Sequence, residues 1–108
     1  MEKGFSGVAV VEYRDDYAFI NIIQSRLVAP QSGEVIKGLA DEAIRKGYKK
    51  IVIDFSQVEF MSSSMLGTLI SISNRLKAIK GAVKITGLKP SIRELFTITK
   101  LDGIFNIS

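Results

Sequence analysis

Hydrophobic positions along the chain change their spacing several times, and each change marks an element. Phe5 to Tyr13 carries Val8, Val10 and Val11, a β-branched run with imperfect alternation that predicts a first strand. Arg14-Asp15-Asp16 is a polar break, and Tyr17 to Gln24 predicts a second strand. A break this short leaves no room for a crossover helix, so an antiparallel hairpin is expected. Ser25 to Ser32 reads as a loop, with Pro30 holding Ala29 away from helical angles. Beyond it Ile36, Leu39, Ala40, Ala43 and Ile44 recur at helical spacing, leaving Lys37, Asp41 and Arg45 outward. This predicts a helix from about Gln31 or Ser32 to Lys46, closed by Gly47. Gly38 inside it costs about 1 kcal/mol relative to alanine, and close packing against a neighbour would explain its presence.

The pattern then turns continuous. Lys50 to Phe55 is apolar without alternation, as expected of a central strand covered on both faces. Ser56 to Glu59 is a connecting loop, with Val58 and Phe60 expected in the core. Met65, Leu69, Ile72, Leu76 and Ile79, widened by Leu66 and Ile70, predict a second helix reaching Lys80 and ended by Gly81. Ala82 to Thr86 predicts a further strand, and Gly87-Leu88-Lys89 a turn. Pro90 opens a third helix that runs through Ile98 and buries Ile92, Leu95 and Phe96. Leu101, Ile104, Phe105 and Ile107 close the chain as a short element, helical or extended. The order β-β-α-β-α-β-α predicts a single α/β domain over residues 1–108, its mixed sheet antiparallel at the start and parallel later.

Composition narrows the chemistry. A chain of 108 residues with 46% hydrophobic content can bury a core without cross-links. No apolar run approaches a membrane span and the first residues do not lead into a secretory signal, so a cytoplasmic protein without membrane insertion is expected. Cysteine is absent, which excludes disulfides, thiolate metal sites and cysteine nucleophiles. Histidine is absent too, which removes the commonest general base and metal ligand. No enzymatic activity, cofactor or metal is therefore expected. The net charge of +4 gathers at Arg45-Lys46-Gly47-Tyr48-Lys49-Lys50 and at Arg75, Lys77 and Lys80. Both clusters fall at predicted helix ends, where the dipole favours cations. No nucleic-acid motif accompanies them, so no direct nucleic-acid partner is expected; an acidic protein partner would be served equally well.

Three consecutive serines, Ser62-Ser63-Ser64, stand between the apolar strand and the second helix. A serine there can cap the helix by accepting bonds from first-turn N–H groups. It can also offer its hydroxyl at the positive end of the helix dipole, where a phosphate rests well.

The residues around this run resemble a STAS domain, the fold of bacterial anti-sigma factor antagonists. The likeness is carried by Ile51-Val52-Ile53-Asp54-Phe55-Ser56-Gln57-Val58-Glu59-Phe60-Met61-Ser62-Ser63-Ser64-Met65-Leu66-Gly67, then by Lys84-Ile85-Thr86-Gly87-Leu88 and Leu101-Asp102-Gly103-Ile104-Phe105. The family pattern is a hydrophobic strand, an aspartate, a short loop, then Phe-Met-Asp-Ser-Ser/Thr-Gly-Leu-Gly opening a helix. The resemblance implies reversible binding to an anti-sigma factor with serine kinase activity, switched by phosphorylation, with a phosphatase for resetting. Carried over by position, it implies Ser63 as phosphoacceptor. Ser62, Ser64, Met65, Gly67, Arg26 and Val28 would form the partner surface, and any ATP and magnesium would belong to the kinase. The chain departs from the pattern at three places. Ser62 replaces the aspartate before the acceptor, Met65 replaces a glycine, and Ser25-Arg26-Leu27-Val28 stands where the family has Gly-x-Leu-Asp. Two acidic positions are thereby lost, and Met65 is expected to add bulk beside the acceptor.

Other readings fare worse. Asp15-Asp16 and Asp54 mimic the acidic pocket of a response-regulator receiver, but the hairpin puts the pair at its tip, remote from Asp54. Asp54 is expected to order the loop before the serines. Ser63 as a nucleophile has neither a histidine base nor a Ser-x-x-Lys arrangement. The remaining alternative is a STAS module that is never phosphorylated and serves as a docking or scaffold subunit of a regulatory or transport complex.

Overall fold

The structure, a computed structural model, describes residues 3–5, 7–103 and 105–107. Ile104, expected in the final element, lies outside them. The expected first strand is two strands. β1 (Lys3–Phe5) and β2 (Ala9–Arg14) pair antiparallel with Phe5 opposite Val10. β2 then forms the expected hairpin with β3 (Tyr17–Ile22), Arg14 opposite Tyr17. Asp15, with φ 55, takes the left-handed conformation that so short a connection requires.

The remaining elements are β4 (Arg26–Leu27), α1 (Pro30–Arg45), β5 (Lys50–Asp54), β6 (Phe60–Met61), α2 (Ser63–Ala78), β7 (Ala82–Thr86), α3 (Pro90–Ile98) and β8 (Asn106–Ile107). A 3-10 turn at Leu101–Gly103 precedes β8. The main sheet has the order β1-β2-β3-β5-β7-β8, antiparallel through β3 and parallel from β3 to β8. β4, inside the expected Ser25–Ser32 loop, and β6, just after the expected Ser56–Glu59 loop, form a separate parallel pair that the hydrophobic pattern does not predict. Runs of two residues are too short to show a period.

Both long helices end by the same device with different residues. At α1, Gly47 (φ 97) takes the left-handed position, and Tyr48 N–H donates to Ala43 O at 3.0 Å. At α2 that position falls to Lys80 (φ 61), and Gly81 N–H donates to Leu76 O at 2.6 Å. Gly81 serves a different need: a Cβ there would stand 2.3 Å from Lys49 O. Gly38 is exposed with open space around it, so helix packing does not account for it. The close approach belongs to Gly33, where a Cβ would lie 2.8 Å from Thr68 Oγ1 of α2.

Burial alternates along β3, β5 and β7. Ala18, Ile20, Ile22, Ile51, Ile53, Val83 and Ile85 are buried on the face carrying α1 and α2. Leu69, Ile72 and Leu76 of α2 meet them as the helical stripe predicted. At the β7–β8 end, Phe96 of α3 packs edge-on against Phe105. Tyr17, Phe19, Val52 and Asp54 point the other way and are half-buried. The unbroken apolar run of β5 therefore misleads: among the described residues, helices cover one of its faces and leave the other open. Val58 is buried as expected, but Phe60 is 50% exposed. Alternation within β6 explains the difference, since it is Met61 that turns inward.

Candidate functional site: the start of the second long helix

The β4–β6 pair positions the serines. Arg26 lies opposite Phe60 and Leu27 opposite Met61, and Ser62 N–H donates to Leu27 O at 3.0 Å. Leu27 and Met61 are buried, which pins both strands to the core. Ser62 follows in an extended conformation (φ −80, ψ 157) as the residue flanking α2, and its carbonyl accepts from Met65 N–H at 3.1 Å. Its side chain does not cap. No side-chain hydrogen bond reaches the first-turn N–H groups, and no acidic residue lies in that turn. The Ser62 and Ser64 hydroxyls instead bond each other at 2.9 Å.

Ser63 occupies the first helical position and is exposed, and among the described residues its hydroxyl has no hydrogen-bond partner. Ser64 and Gly67 are also exposed, and Gly67 faces open space. Across the β4–β6 pair, the Arg26 guanidinium lies over the Phe60 ring at 5.1 Å. Val28 is 42% exposed beside them. A shallow groove of about 180 Å³ runs between the first turns of α1 and α2, lined by Pro30, Gly33, Glu34, Ser62, Ser64 and Thr68 among others. The structure thus brings together Ser62, Ser63, Ser64, Gly67, Arg26 and Val28 at one end of the fold.

Met65 is the exception. It is 3% exposed, with its sulfur beside Gly33, so it supports the helix from below and offers no contact surface. Its bulk falls in the core, not beside the Ser63 hydroxyl. Phe60 is the residue missed by sequence reasoning. Its signal was weak but present, because an inward Met61 requires an outward neighbour on the same strand.

Asp54 orders the loop that leads to the serines. Its two oxygens accept from Ser56 N–H at 3.0 Å and from the Ser56 hydroxyl at 3.1 Å. Gly87 (φ +72) must lack a side chain here, because a Cβ would stand 2.5 Å from Asp54 Oδ1. Lys89 Nζ donates to Ser56 O from the neighbouring loop. Asp15 and Asp16 sit at the hairpin tip, where Asp16 pairs with Lys50 at 3.1 Å. The hydrogen bond from Lys50 holds the Asp16 carboxyl below its ordinary range, and the same bond raises Lys50. Among the described residues no cluster of acidic side chains could hold a metal, and no helix is long and apolar enough to cross a membrane.

The family model for the STAS domain matches residues 11–108, and the chain belongs to that family. Two relatives, both provisionally named anti-sigma factor antagonists, share its sequence more closely. One is BtrV of Bordetella bronchiseptica, 28% identical over 65 residues, which are 60% of this chain and 56% of that protein. The other, a TM1081 homologue from Thermotoga neapolitana, is 31% identical over 71 residues, or 66% of this chain and 63% of that protein. The matched stretch is thus under two thirds of the length of either relative. Among solved structures, SpoIIAA of Bacillus is similar in fold at 22% identity. Its unphosphorylated form superposes with a TM-score of 0.79, covering 93% of this chain and 87% of that one. Its phosphorylated form gives 0.72, covering 93% and 90%.

Proposed function

We propose that this protein is an anti-sigma factor antagonist that acts by reversible binding to an anti-sigma factor with serine kinase activity, and that phosphorylation of Ser63 switches the contact. The observation that carries the proposal is the exposed, unpartnered Ser63 hydroxyl at the first position of α2, held there while its two neighbours bond each other. A phosphate placed there meets the Ser63 and Ser64 N–H groups, which lack the backbone partner that Met65 N–H finds in Ser62 O, and no acidic side chain within the first turn. The modification should therefore alter the surface more than the fold. The names of the relatives support the antagonist role.

Arg26, Val28, Ser62, Ser64 and Gly67 form the contact surface in this reading, with Phe60 in place of the buried Met65. The protein supplies no catalysis of its own. ATP and magnesium belong to the kinase, and a phosphatase resets the switch in the cytoplasm. The whole chain, residues 1–108, acts as a single domain. A docking subunit that is never phosphorylated is the second reading, favoured by the uncharged Ser62 where the family pattern has aspartate.

Incubation with the cognate kinase and ATP, followed by intact mass, tests the switch. Wild type should gain one phosphate and Ser63→Ala none. Equal uptake by both moves the acceptor elsewhere, and no uptake by wild type leaves the docking reading.

A further inference from the structure

Cations gather at the end of the domain opposite the serines. α1 ends at Arg45 with Lys46 flanking it, and Lys49 and Lys50 lead into β5. α2 carries Lys77 in its last turn, and Lys80 follows in the left-handed position. The two turns are joined, because Ala82 N–H donates to Lys49 O at 2.9 Å and Lys50 stands opposite Ala82 in the sheet. All six cationic residues are exposed. Lys50 pairs with Asp16 at 3.1 Å, and Lys46 lies over the Tyr13 ring at 5.2 Å. Among the described residues Arg45, Lys49, Lys77 and Lys80 make no ion pair. The nearby acids are Glu42, half-buried one turn back on α1, and Asp15 and Asp16 on the hairpin tip. Each helix C-terminus supplies only about half a negative charge, so the two dipoles do not account for this excess of cations.

The rest of the chemistry at this end selects the occupant. Tyr13 and Tyr48 stack on each other at 4.8 Å with Lys46 over Tyr13, so their rings are already engaged and offer no platform for nucleic-acid bases. Both helices arrive by their C-termini, so neither presents the N-terminus that cradles a phosphate or a helix start to a duplex groove. The exposed large hydrophobic residues, Val28, Phe60 and Ile98, all lie outside these turns. Protein contacts are poor in lysine and rich in aromatic anchors at their centres, the reverse of what is found here. What remains is a cluster of long cationic side chains with no anchor, suited to a surface that is itself a plane of negative charge.

We propose that this end of the domain docks on an anionic lipid surface, without insertion, with Arg45, Lys49, Lys77 and Lys80 facing the headgroups. Clusters of about four to eight basic residues bind anionic lipid in this way, through the field of the surface and not through a fitted pocket. The attraction reaches over a Debye length, about 10 Å at about 0.1 M salt, so it fades as salt is added. α2 runs from Ser63 to Ala78, and at about 1.5 Å per residue its length puts about 24 Å between Ser63 and the basic end. A docked domain therefore turns Ser63, Arg26 and Phe60 toward water, where a protein partner can reach them. The docking needs neither Ser63 nor its modification, so it stands or falls separately from the proposed switch.

The test is co-sedimentation of the full chain with vesicles of phosphatidylcholine mixed with phosphatidylglycerol, and with vesicles of phosphatidylcholine alone. The expected result is saturable binding to the mixed vesicles at low ionic strength, release at high salt and no binding to the neutral vesicles. Lys49→Gln with Lys77→Gln should weaken binding at least roughly tenfold. Lys37→Gln with Arg93→Gln, an equal loss of charge elsewhere on α1 and α3, should weaken it by no more than roughly threefold. Unchanged thermal midpoints report intact folds, and should the first pair lose its midpoint, Lys77→Gln with Lys80→Gln supplies the same comparison. No binding to the mixed vesicles, binding to neutral vesicles, persistence at high salt, or equal loss by the two pairs of substitutions would each overturn the proposal. So would a DNA duplex or polyglutamate that binds through the same lysines more tightly than the vesicles, which would assign this end to nucleic acid or to an acidic protein.

Discussion

The Ser62 and Ser64 hydroxyls share a hydrogen bond at 2.9 Å, and the first turn of α2 has no side-chain cap from Ser62. A carboxylate at position 62 could reach that turn and also complement the helix dipole. Ser62→Asp is expected to stabilise the protein by about 1 kcal/mol, the usual worth of a helix cap. The measurement is the urea midpoint at unchanged slope. A neutral or negative change would mean that the Ser62–Ser64 pair already satisfies the helix start.

Four glycines separate into two kinds. Gly38 and Gly67 lie in helices with open space at their Cβ positions. Alanine at either should add about 0.5–1 kcal/mol through helix propensity. Gly81 and Gly87 sit against backbone and carboxylate, with Cβ positions 2.3 Å from Lys49 O and 2.5 Å from Asp54 Oδ1. Gly87 also has φ +72. Alanine at Gly81 or Gly87 should cost roughly 2–4 kcal/mol through overpacking and backbone strain. Thermal denaturation of the four single variants separates the groups, and a stabilising Gly81→Ala would contradict the packing described.

Much of this fold could be read from the chain because its longer elements bury one side only. The stripe of α2 and the termination of α1 at Gly47 follow from helical spacing and a positive φ, and the hairpin follows from the length of the Arg14–Asp16 break. What escaped had a physical cause in each case. A two-residue strand has no period, so β4 and β6 were hidden and Phe60 was assigned to the core. In β5, Val52 is as apolar as its buried neighbours yet faces the open side. At Met65 the motif drew attention to the residue as a neighbour of the acceptor, while its place in the apolar stripe correctly turned it inward. The grouping of Arg26 and Val28 with the serines came from the family resemblance. The β4–β6 register now gives it a geometric basis.

At the far end of the sheet, Asp16 and Lys50 set a small pH dependence. Asp16 has its folded pKa depressed by the hydrogen bond from Lys50, so its contribution is present above the unfolded value near 3.8 and lost as pH falls through the lower folded value. Lys50 is raised, so its share is present below about 10.5 and lost as pH rises through the higher folded value. Both side chains are exposed to solvent, so salt should weaken the effect. Asp16→Asn should flatten the acid limb of a stability–pH profile at low ionic strength and change little at high salt. An unchanged acid limb would mean that the pair does not persist in solution.

Phe60 and Phe55 carry the same side chain in opposite settings, which allows contact energy to be separated from core energy. Phe55 is fully buried, and truncating it to alanine should cost about 3–5 kcal/mol. Phe60 is 50% exposed and is covered on one face by Arg26. Phe60→Ala should therefore lower stability by no more than about 1 kcal/mol, because an exposed cation–π contact and partial burial are all it gives up. If Phe60 anchors the partner, the same variant should weaken binding by about 2 kcal/mol or more, as aromatic anchors at interface centres do. Val28→Ala should produce a smaller loss in the same direction. Calorimetric titration of the unmodified variants with the proposed partner, an anti-sigma factor, measures this directly. Wild-type affinity in Phe60→Ala would remove the β4–β6 edge from the contact surface and confine it to the start of α2.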